Sequence, residues 1–398
     1  MDYKFSDKLA SLKPSAIREI FKNLTDPTVI SFGGGNPSPE SFPTEELKRL
    51  AADIFENSST AALQYSITEG YAPLRELLKK RVKDKFDIGK DFDETIVVSG
   101  GQQGIELACK TFCNEGDVVL CEEPSFIGAL NSFRSNGAKT VGVACDNEGI
   151  IPEALEERLK TVSNVKLLYI IPTFQNPMGI TTPLARRKRV YELCKEYGVM
   201  ILEDNPYGEL RFSGDDVPTI KSMDSDGIVI YCSSLSKILS PGMRIGYVVA
   251  PLTVTSKMVV AKQGEDVHTN IFFQMLCYKY MTECDLEAHI LKIRDIYRKK
   301  SSLMLSCLEN ELPSDITFTR PCGGLFIWCT LPRELDSADF VKGLTSRKVV
   351  AVPGATFLSD GNGKSSSFRL NYSTPSDEDI IRGVKILGEY AKEYLANN

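Results

Sequence analysis

Ile228-Val229-Ile230-Tyr231-Cys232-Ser233-Ser234-Leu235-Ser236-Lys237 opens on five uncharged, mostly β-branched or aromatic residues and closes on serines and a lysine. An apolar run of that length reads as a strand buried on both faces, with a polar loop where the strand stops. The same pattern recurs along the chain. Apolar runs at 96–99, 118–121, 140–143, 167–171, 199–202 and 245–249 have strand length, and helical spacing separates several of them, as at 102–112 and 183–197. Strands alternating with helices predict an α/β unit with a mostly parallel, seven-stranded sheet covered on both faces.

Outward from this unit the pattern changes. A helix-like piece at 15–24 gives way to Gly33-Gly34-Gly35-Asn36-Pro37-Ser38-Pro39, which cannot hold a helix and reads as an extended connector with accessible backbone. On the other side, the long amphipathic stretch 285–309 leads into strands at 325–329 and 367–372 and helices at 337–346 and 377–396, a smaller α+β domain. The expected division is an N-terminal segment 1–44 that packs with the small domain and the site, a large domain 45–284 and a small domain 285–398.

Composition excludes several classes. With 398 residues, 42% hydrophobic and 25% charged, the chain can bury two cores and is not globally disordered. Its net charge of −6 comes without a basic run, which argues against nucleic acid. No stretch has the length and apolarity of a membrane span, and the start lacks the apolar core of a signal peptide. Eleven scattered cysteines without a C-x-x-C pair suggest reduced thiols in a cytoplasm. Only two histidines, His268 and His289, leave no basis for a histidine-rich metal centre.

Polar or special residues stand where apolar strands end, the place where open α/β sheets bind ligands. After 228–232 come Ser234, Ser236 and Lys237, with Pro241-Gly242-Met243-Arg244 just behind. A lysine amine forms an imine with an aldehyde cofactor, and two hydroxyls and a guanidinium suit a phosphate dianion beside it. An isolated Ser-x-Lys would be a solvated loop; the arginine at fixed distance favours the site. After 199–202 comes Glu203-Asp204-Asn205-Pro206-Tyr207. An acid there needs a cation or proton donor, and the ring nitrogen of pyridoxal phosphate is one; a lone aspartate would instead cap a turn. Tyr207, and Asn176 after 167–171, can donate to the phenolic oxygen of the same ring. Val98-Ser99-Gly100-Gly101-Gln102 is a glycine turn entering a helix, a site for the cofactor phosphate.

Two further residues point to substrate. Arg369 lies inside the apolar run Phe368-Arg369-Leu370-Asn371-Tyr372, where a buried guanidinium needs an anion. A substrate α-carboxylate fits; a structural ion pair is the alternative. Phe126 can lie flat on the pyridine ring, or be an ordinary core residue.

Taken in order, these motifs resemble the class I/II aminotransferases of pyridoxal-phosphate fold type I. Ile17-Arg18-Glu19-Ile20, Ile30-Ser31-Phe32-Gly33-Gly34-Gly35-Asn36-Pro37, Leu63-Gln64-Tyr65-Ser66 and Gly70-Tyr71-Ala72-Pro73-Leu74-Arg75 are similar to the subgroup of 2-aminoadipate and kynurenine aminotransferases, which is related to the aminotransferase domain of the MocR regulators. The resemblance implies Lys237 as the Schiff-base lysine and proton shuttle, Asp204 at the ring nitrogen, Asn176 and Tyr207 at the phenolic oxygen, and Phe126 on the ring. Gly101, Gln102, Ser234, Ser236 and Arg244 would surround the phosphate, and Arg369 would bind the α-carboxylate. It implies also that Tyr65 reaches the site of a partner subunit in a homodimer, and that Arg18 and Gly35 lie in a segment covering the substrate, where Arg18 can meet a side-chain carboxylate. Three positions depart from the commonest pattern: Phe126 where several relatives carry tyrosine, Gly100-Gly101 where many have Gly-Ser, and Met178 where threonine is frequent.

The expected activity is ping-pong transfer of the amino group of a 2-aminoadipate, aromatic or aliphatic amino acid to a 2-oxo acid such as 2-oxoglutarate. Its rivals are another reaction on the same scaffold, such as β-elimination at a C–S bond or decarboxylation, and a ligand-sensing role like that of the MocR effector domain. Those regulators carry an N-terminal winged-helix domain, and here a short segment precedes the motifs.

Overall fold

The computed structural model describes residues 3–10, 26, 28–361 and 363–398. The helix-like piece at 15–24, and Arg18 with it, lies outside the described residues.

The strands, in chain order, are β1 (Ile30–Ser31), β2 (Asp93–Val98), β3 (Val118–Glu123), β4 (Lys139–Asp146), β5 (Gly149–Ile150), β6 (Val165–Ile170), β7 (Met200–Asp204), β8 (Val229–Ser234), β9 (Gly246–Pro251), β10 (Thr317–Phe318), β11 (Phe326–Thr330), β12 (Val349–Val350), β13 (Val352–Pro353) and β14 (Ser367–Asn371). The large sheet has the order β2-β9-β8-β7-β6-β3-β4-β5. Its central strands β8, β7, β6, β3 and β4 are parallel. Seven of its strands fall on the seven apolar runs of the sequence; the two-residue β5 adds an eighth, antiparallel to β4 at the edge.

The sheet is buried on both sides because successive side chains point to opposite faces. Val118, Leu120, Leu168, Ile170 and Ile201 pack one way, against the helices Pro152–Thr161 and Leu184–Tyr197. Val119, Cys121, Leu167, Tyr169 and Leu202 face the other way, toward the helices Gly101–Phe112 and Ile127–Ser135. Each fully buried aliphatic side chain contributes about 1.5–3 kcal/mol, so both layers are held strongly.

Besides the edge strand β5, one long strand departs from the parallel pattern. β9 runs antiparallel to both neighbours, and the registers Val98↔Gly246 and Ser234↔Gly246 set its first residue beside the last residues of β2 and β8. Three chain segments therefore meet at one edge point.

The long helix Leu286–Glu311 starts where the side chain of Asp285 accepts from Ala288 N, an N-cap that satisfies one of the first-turn donors. Beyond it β10-β11-β14-β13 form an antiparallel sheet. The helices Ser337–Ser346 and Asp377–Asn397 are capped in the same way by Asp336 and Ser376. The N-terminal connector joins this part of the molecule: β1 pairs in parallel with β12, and Asn371 N donates to Phe32 O at 2.8 Å. Gly383 permits that contact, since a Cβ there would lie 2.5 Å from Cζ of Phe32. Among the described residues no helix is long and apolar enough to cross a membrane.

Candidate active site

A cavity of about 290 Å³ opens at the carboxyl ends of β7 and β8. Gly35, Gly101, Gln102, Phe126, Asn176, Asp204, Tyr207, Ser234, Ser236, Lys237, Arg244 and Arg369 all line it. Of the described residues assigned to the site from the sequence, one is not brought there. Tyr65 is 81% exposed, its ring edge-on to that of His268 with the centroids 5.8 Å apart; Arg18 lies outside the described residues.

Lys237 follows β8 on a turn built by its own serines. Ser234 Oγ donates to Ser236 Oγ at 2.7 Å and accepts from Ser236 N at 3.1 Å, while Leu235 N donates to Ile245 O at 3.0 Å. The Lys237 ammonium donates to Gly35 O at 2.9 Å. Burial, helped by the charges of Arg244 and Arg369, brings its pKa down to about 8, so a neutral amine is accessible near physiological pH.

Asp204 ends β7 buried at the wall of the cavity, and burial pushes its carboxyl up to about 7. Tyr169, on the neighbouring β6, donates its hydroxyl to Asp204 Oδ2 at 2.7 Å and opposes that rise. Deeper in, Glu122 accepts from Ile171 N at 2.9 Å and is pushed by burial up to about 8.

Asn176 links the two sides of the cavity. Its Nδ2 donates to Tyr207 Oη at 3.4 Å and its Oδ1 accepts from Arg369 Nη1 at 2.7 Å. Arg369 is 2% exposed and lies between the rings of Phe326 and Phe357, 4.3 and 4.9 Å from their centroids. Its Nη2 donates to Gly33 O at 2.8 Å, and among the described residues its buried Nε has no partner. A guanidinium held only by neutral oxygens and aromatic faces is a receptor for a carboxylate.

The phosphate side is a cradle of close backbone approaches. Gly100 turns at φ +79°, and a Cβ at Gly246 would stand 2.7 Å from Gly100 C and 2.8 Å from Gly101 N. That approach seats the start of the helix Gly101–Phe112 against the first residue of β9; a helix start offers N–H groups to an anion. Arg244, at φ +56°, reaches back to donate to Ser99 O at 3.2 Å. The Gln102 amide nitrogen is engaged elsewhere, donating to Gly128 O and Ser132 Oγ, both at 2.8 Å. The Phe126 ring lies across Gly128, where a Cβ would come within 2.4 Å of Cζ.

A family model described as aminotransferase class I and II matches residues 27–387. The chain belongs to the class I and II aminotransferases. Among curated relatives of this aminotransferase, the aromatic-amino-acid aminotransferase 1 of Thermococcus litoralis is 39% identical over 99% of this chain and 96% of its own length. The 2-aminoadipate transaminase of Thermus thermophilus is 39% identical over 98% and 97%. A crystal structure of an alpha-aminoadipate aminotransferase from Thermus thermophilus, complexed with N-(5'-phosphopyridoxyl)-L-leucine, superposes with a TM-score of 0.91 at 38% identity, covering 99% and 98% of the two chains. The aminotransferase thus has fold type I and uses pyridoxal phosphate. Its own residues fit that group: a buried lysine of lowered pKa, the buried carboxyl of Asp204 and the hydroxyls of Ser234 and Ser236 beside Arg244 line one cavity, next to a backbone approach at Gly246 that a Cβ would fill.

Sequence reasoning passed over Tyr169, Phe326 and Phe357. Tyr169 stands in an otherwise aliphatic run, Leu167-Leu168-Tyr169-Ile170, and only the structure shows its hydroxyl on Asp204. For Phe326 and Phe357 nothing in the sequence separates them from core aromatics.

Proposed function

We propose that the site residues divide the work of transamination as follows, with an aromatic, aliphatic or 2-aminoadipate amino donor and a 2-oxo acid such as 2-oxoglutarate as acceptor. Pyridoxal phosphate supplies an aldehyde that takes the amino group and a ring that holds the electron pair left at the substrate α-carbon. Lys237 would hold the cofactor's aldehyde carbon through its ε-amine and, once released by the incoming amino acid, would take the α-proton as base and return it as acid. Its lowered pKa supports that double role, because the amine must be neutral to accept the proton. Asp204, as carboxylate, holds the ring nitrogen in its protonated form. Asn176 and Tyr207 donate to the phenolic oxygen, and Phe126 packs on the ring. Gly101, Gln102, Ser234, Ser236 and Arg244 bind the phosphate.

The observation that carries the reading is Arg369, a buried cation without an acid partner among the described residues, which faces the same cavity as Lys237. It binds the α-carboxylate and so aims the Cα–H bond at the lysine. Apolar walls from Ile105, Phe126 and Phe326 suit aromatic and aliphatic side chains, in keeping with the names of the relatives.

The enzyme works as a homodimer with shared sites. Phe55, Leu63, Tyr65 and Ile67 are all exposed, a run of large apolar side chains that a second copy would cover, with Tyr65 entering the partner's site. The chain divides near 44 and 284 into N-terminal segment, large domain and small domain. It acts in the cytoplasm, in line with eleven unpaired cysteines.

Lys237→Ala tests the core assignment: turnover and the absorbance of the bound cofactor should both be lost, and substantial residual transamination would refute it. A panel of amino donors against 2-oxoglutarate then ranks the substrates.

A further inference from the structure

Arg187 belongs to the helix Leu184–Tyr197, below the loop that carries Asn176, and none of its surface reaches solvent. A guanidinium so deeply placed ordinarily meets a carboxylate. Here every acceptor is a neutral oxygen. Nε donates to Thr182 O at 2.8 Å; Nη2 donates to Pro172 O at 2.7 Å and to Thr173 Oγ1 at 2.9 Å. Nη1 donates to Pro218 O at 3.1 Å and Val217 O at 3.4 Å. Burial holds its pKa down to about 10, against the opposing charge of Glu203.

The acceptors are arranged to a purpose that geometry makes plain. Pro172 and Thr182 are the two feet of the Asn176 loop: Thr182 N donates to Pro172 O at 2.9 Å, and one step inside Gln175 N donates to Ile180 O at 2.8 Å. Val217 and Pro218 belong to a different segment, just ahead of the short helix Ile220–Met223. The first N–H groups of that helix, on Ile220 and Lys221, donate at 2.9 and 2.7 Å to the carboxylate of Glu203, the neighbour of Asp204. One planar fork therefore ties both feet of the loop bearing Asn176 to the segment that grips the end of β7.

We infer that Arg187 is a positioning residue for the reaction, clamping the loop 172–182 so that the Asn176 amide meets Tyr207 on one side and Arg369 on the other. The inference rests on the residue roles proposed above and adds a member that touches neither cofactor nor substrate. A lysine cannot substitute, since a point charge on a flexible stem cannot bridge three backbone segments at fixed angles. A displacement of about 1 Å at Asn176 would misdirect both the phenolic-oxygen donor and the carboxylate receptor, an effect on the order of 100-fold at most.

The test is a double-mutant cycle on the holoenzyme, with Arg187→Lys, Asn176→Ala and the pair. Arg187→Lys should lower kcat/KM for an amino donor by about ten-fold or more, and by under about two-fold once Asn176 is alanine. A second readout needs no turnover: the pH midpoint of the bound cofactor's absorbance should shift in Arg187→Lys in the same direction as in Asn176→Ala. A purely structural arginine would lower thermal stability equally in both backgrounds and leave the midpoint where it was. Equal kinetic penalties in the two backgrounds, or an unmoved midpoint, overturn the inference. Should Arg187→Lys fail to fold, Thr173→Val removes one prong of the clamp and decides the matter; kcat/KM at the wild-type value would sink it. Asn176→Ala with wild-type kinetics and spectrum would instead overturn the proposed role of Asn176, and this inference with it.

Discussion

Removing one hydroxyl should shift the pH at which the apoenzyme accepts its cofactor. Asp204 is raised by burial from an ordinary 3.8 to about 7, and the 2.7 Å hydrogen bond from Tyr169 works against that rise. A hydrogen bond to a charged group is worth about 1.5–3 kcal/mol, and 1.36 kcal/mol corresponds to one unit, so Tyr169→Phe should raise Asp204 by roughly one to two units. With a 1.5-unit rise, the ionised fraction at pH 7.5 falls from about three-quarters to about a tenth, and cofactor affinity with it by about eight-fold. The phenyl ring stays in place against Phe133, whose ring centroid lies 5.5 Å away, so packing is little changed. The assay is titration of apoenzyme with pyridoxal phosphate, followed by fluorescence quenching across pH, on wild type and variant side by side. Ionisations of the cofactor are common to both proteins and drop out of the difference. The stability of the apoenzyme carries the same sign: a carboxyl raised in the folded state favours folding below about 4, and that support is lost as pH climbs through about 7. Tyr169→Phe extends the loss to higher pH. Midpoints within about 0.3 units of each other, or a binding defect undiminished well above pH 9, would refute the reasoning.

Two glycines near the cofactor should respond in opposite ways. At Gly101 an added Cβ finds its nearest neighbours, Cys232 Sγ and Ser234 Cβ, at 3.8 and 3.9 Å, ordinary contacts. Gly101→Ser should therefore keep its melting temperature and bind the cofactor phosphate at least as tightly, read by thermal unfolding and equilibrium titration. At Gly128 the added Cβ would lie 2.4 Å from Phe126 Cζ and 2.6 Å from Gln102 Oε1. Gly128→Ala should cost about 1–3 kcal/mol in urea unfolding and weaken cofactor binding as Phe126 is displaced.

Most of the large sheet was legible because its strands are uninterrupted aliphatic runs, and such runs need cover on both faces whatever their neighbours are. The direction of β9 was not. Val248-Val249-Ala250 looks like any buried strand, and only the length of the connection 235–245, too short for the crossover that a parallel pair requires, tells of the reversal. At the site, Lys237, Asp204, Asn176 and Arg369 stood out because each is polar or charged where the surrounding run is apolar. Tyr169 did not, since an aromatic ring in a core strand needs no further account until its hydroxyl is seen on Asp204. Arg187 was hidden for a related reason: in Arg186-Arg187-Lys188-Arg189 it is one basic residue among four, and only the fold decides which of them turns inward. Tyr65 was named from the resemblance alone, and the structure of the single chain leaves it exposed, away from the cavity.

The reversal at β9 also limits how the gene can change. Because Gly246 is pinned to both Val98 and Ser234, the bend from 235 to 245 is stapled at its two feet, and Lys237 and Arg244 sit at fixed steps from them. One inserted residue there could be absorbed only by bulging, or by slipping β9 so that every side chain after it changes sides. Length variation between natural or engineered versions of this protein should accordingly collect elsewhere, in exposed turns far from this bend.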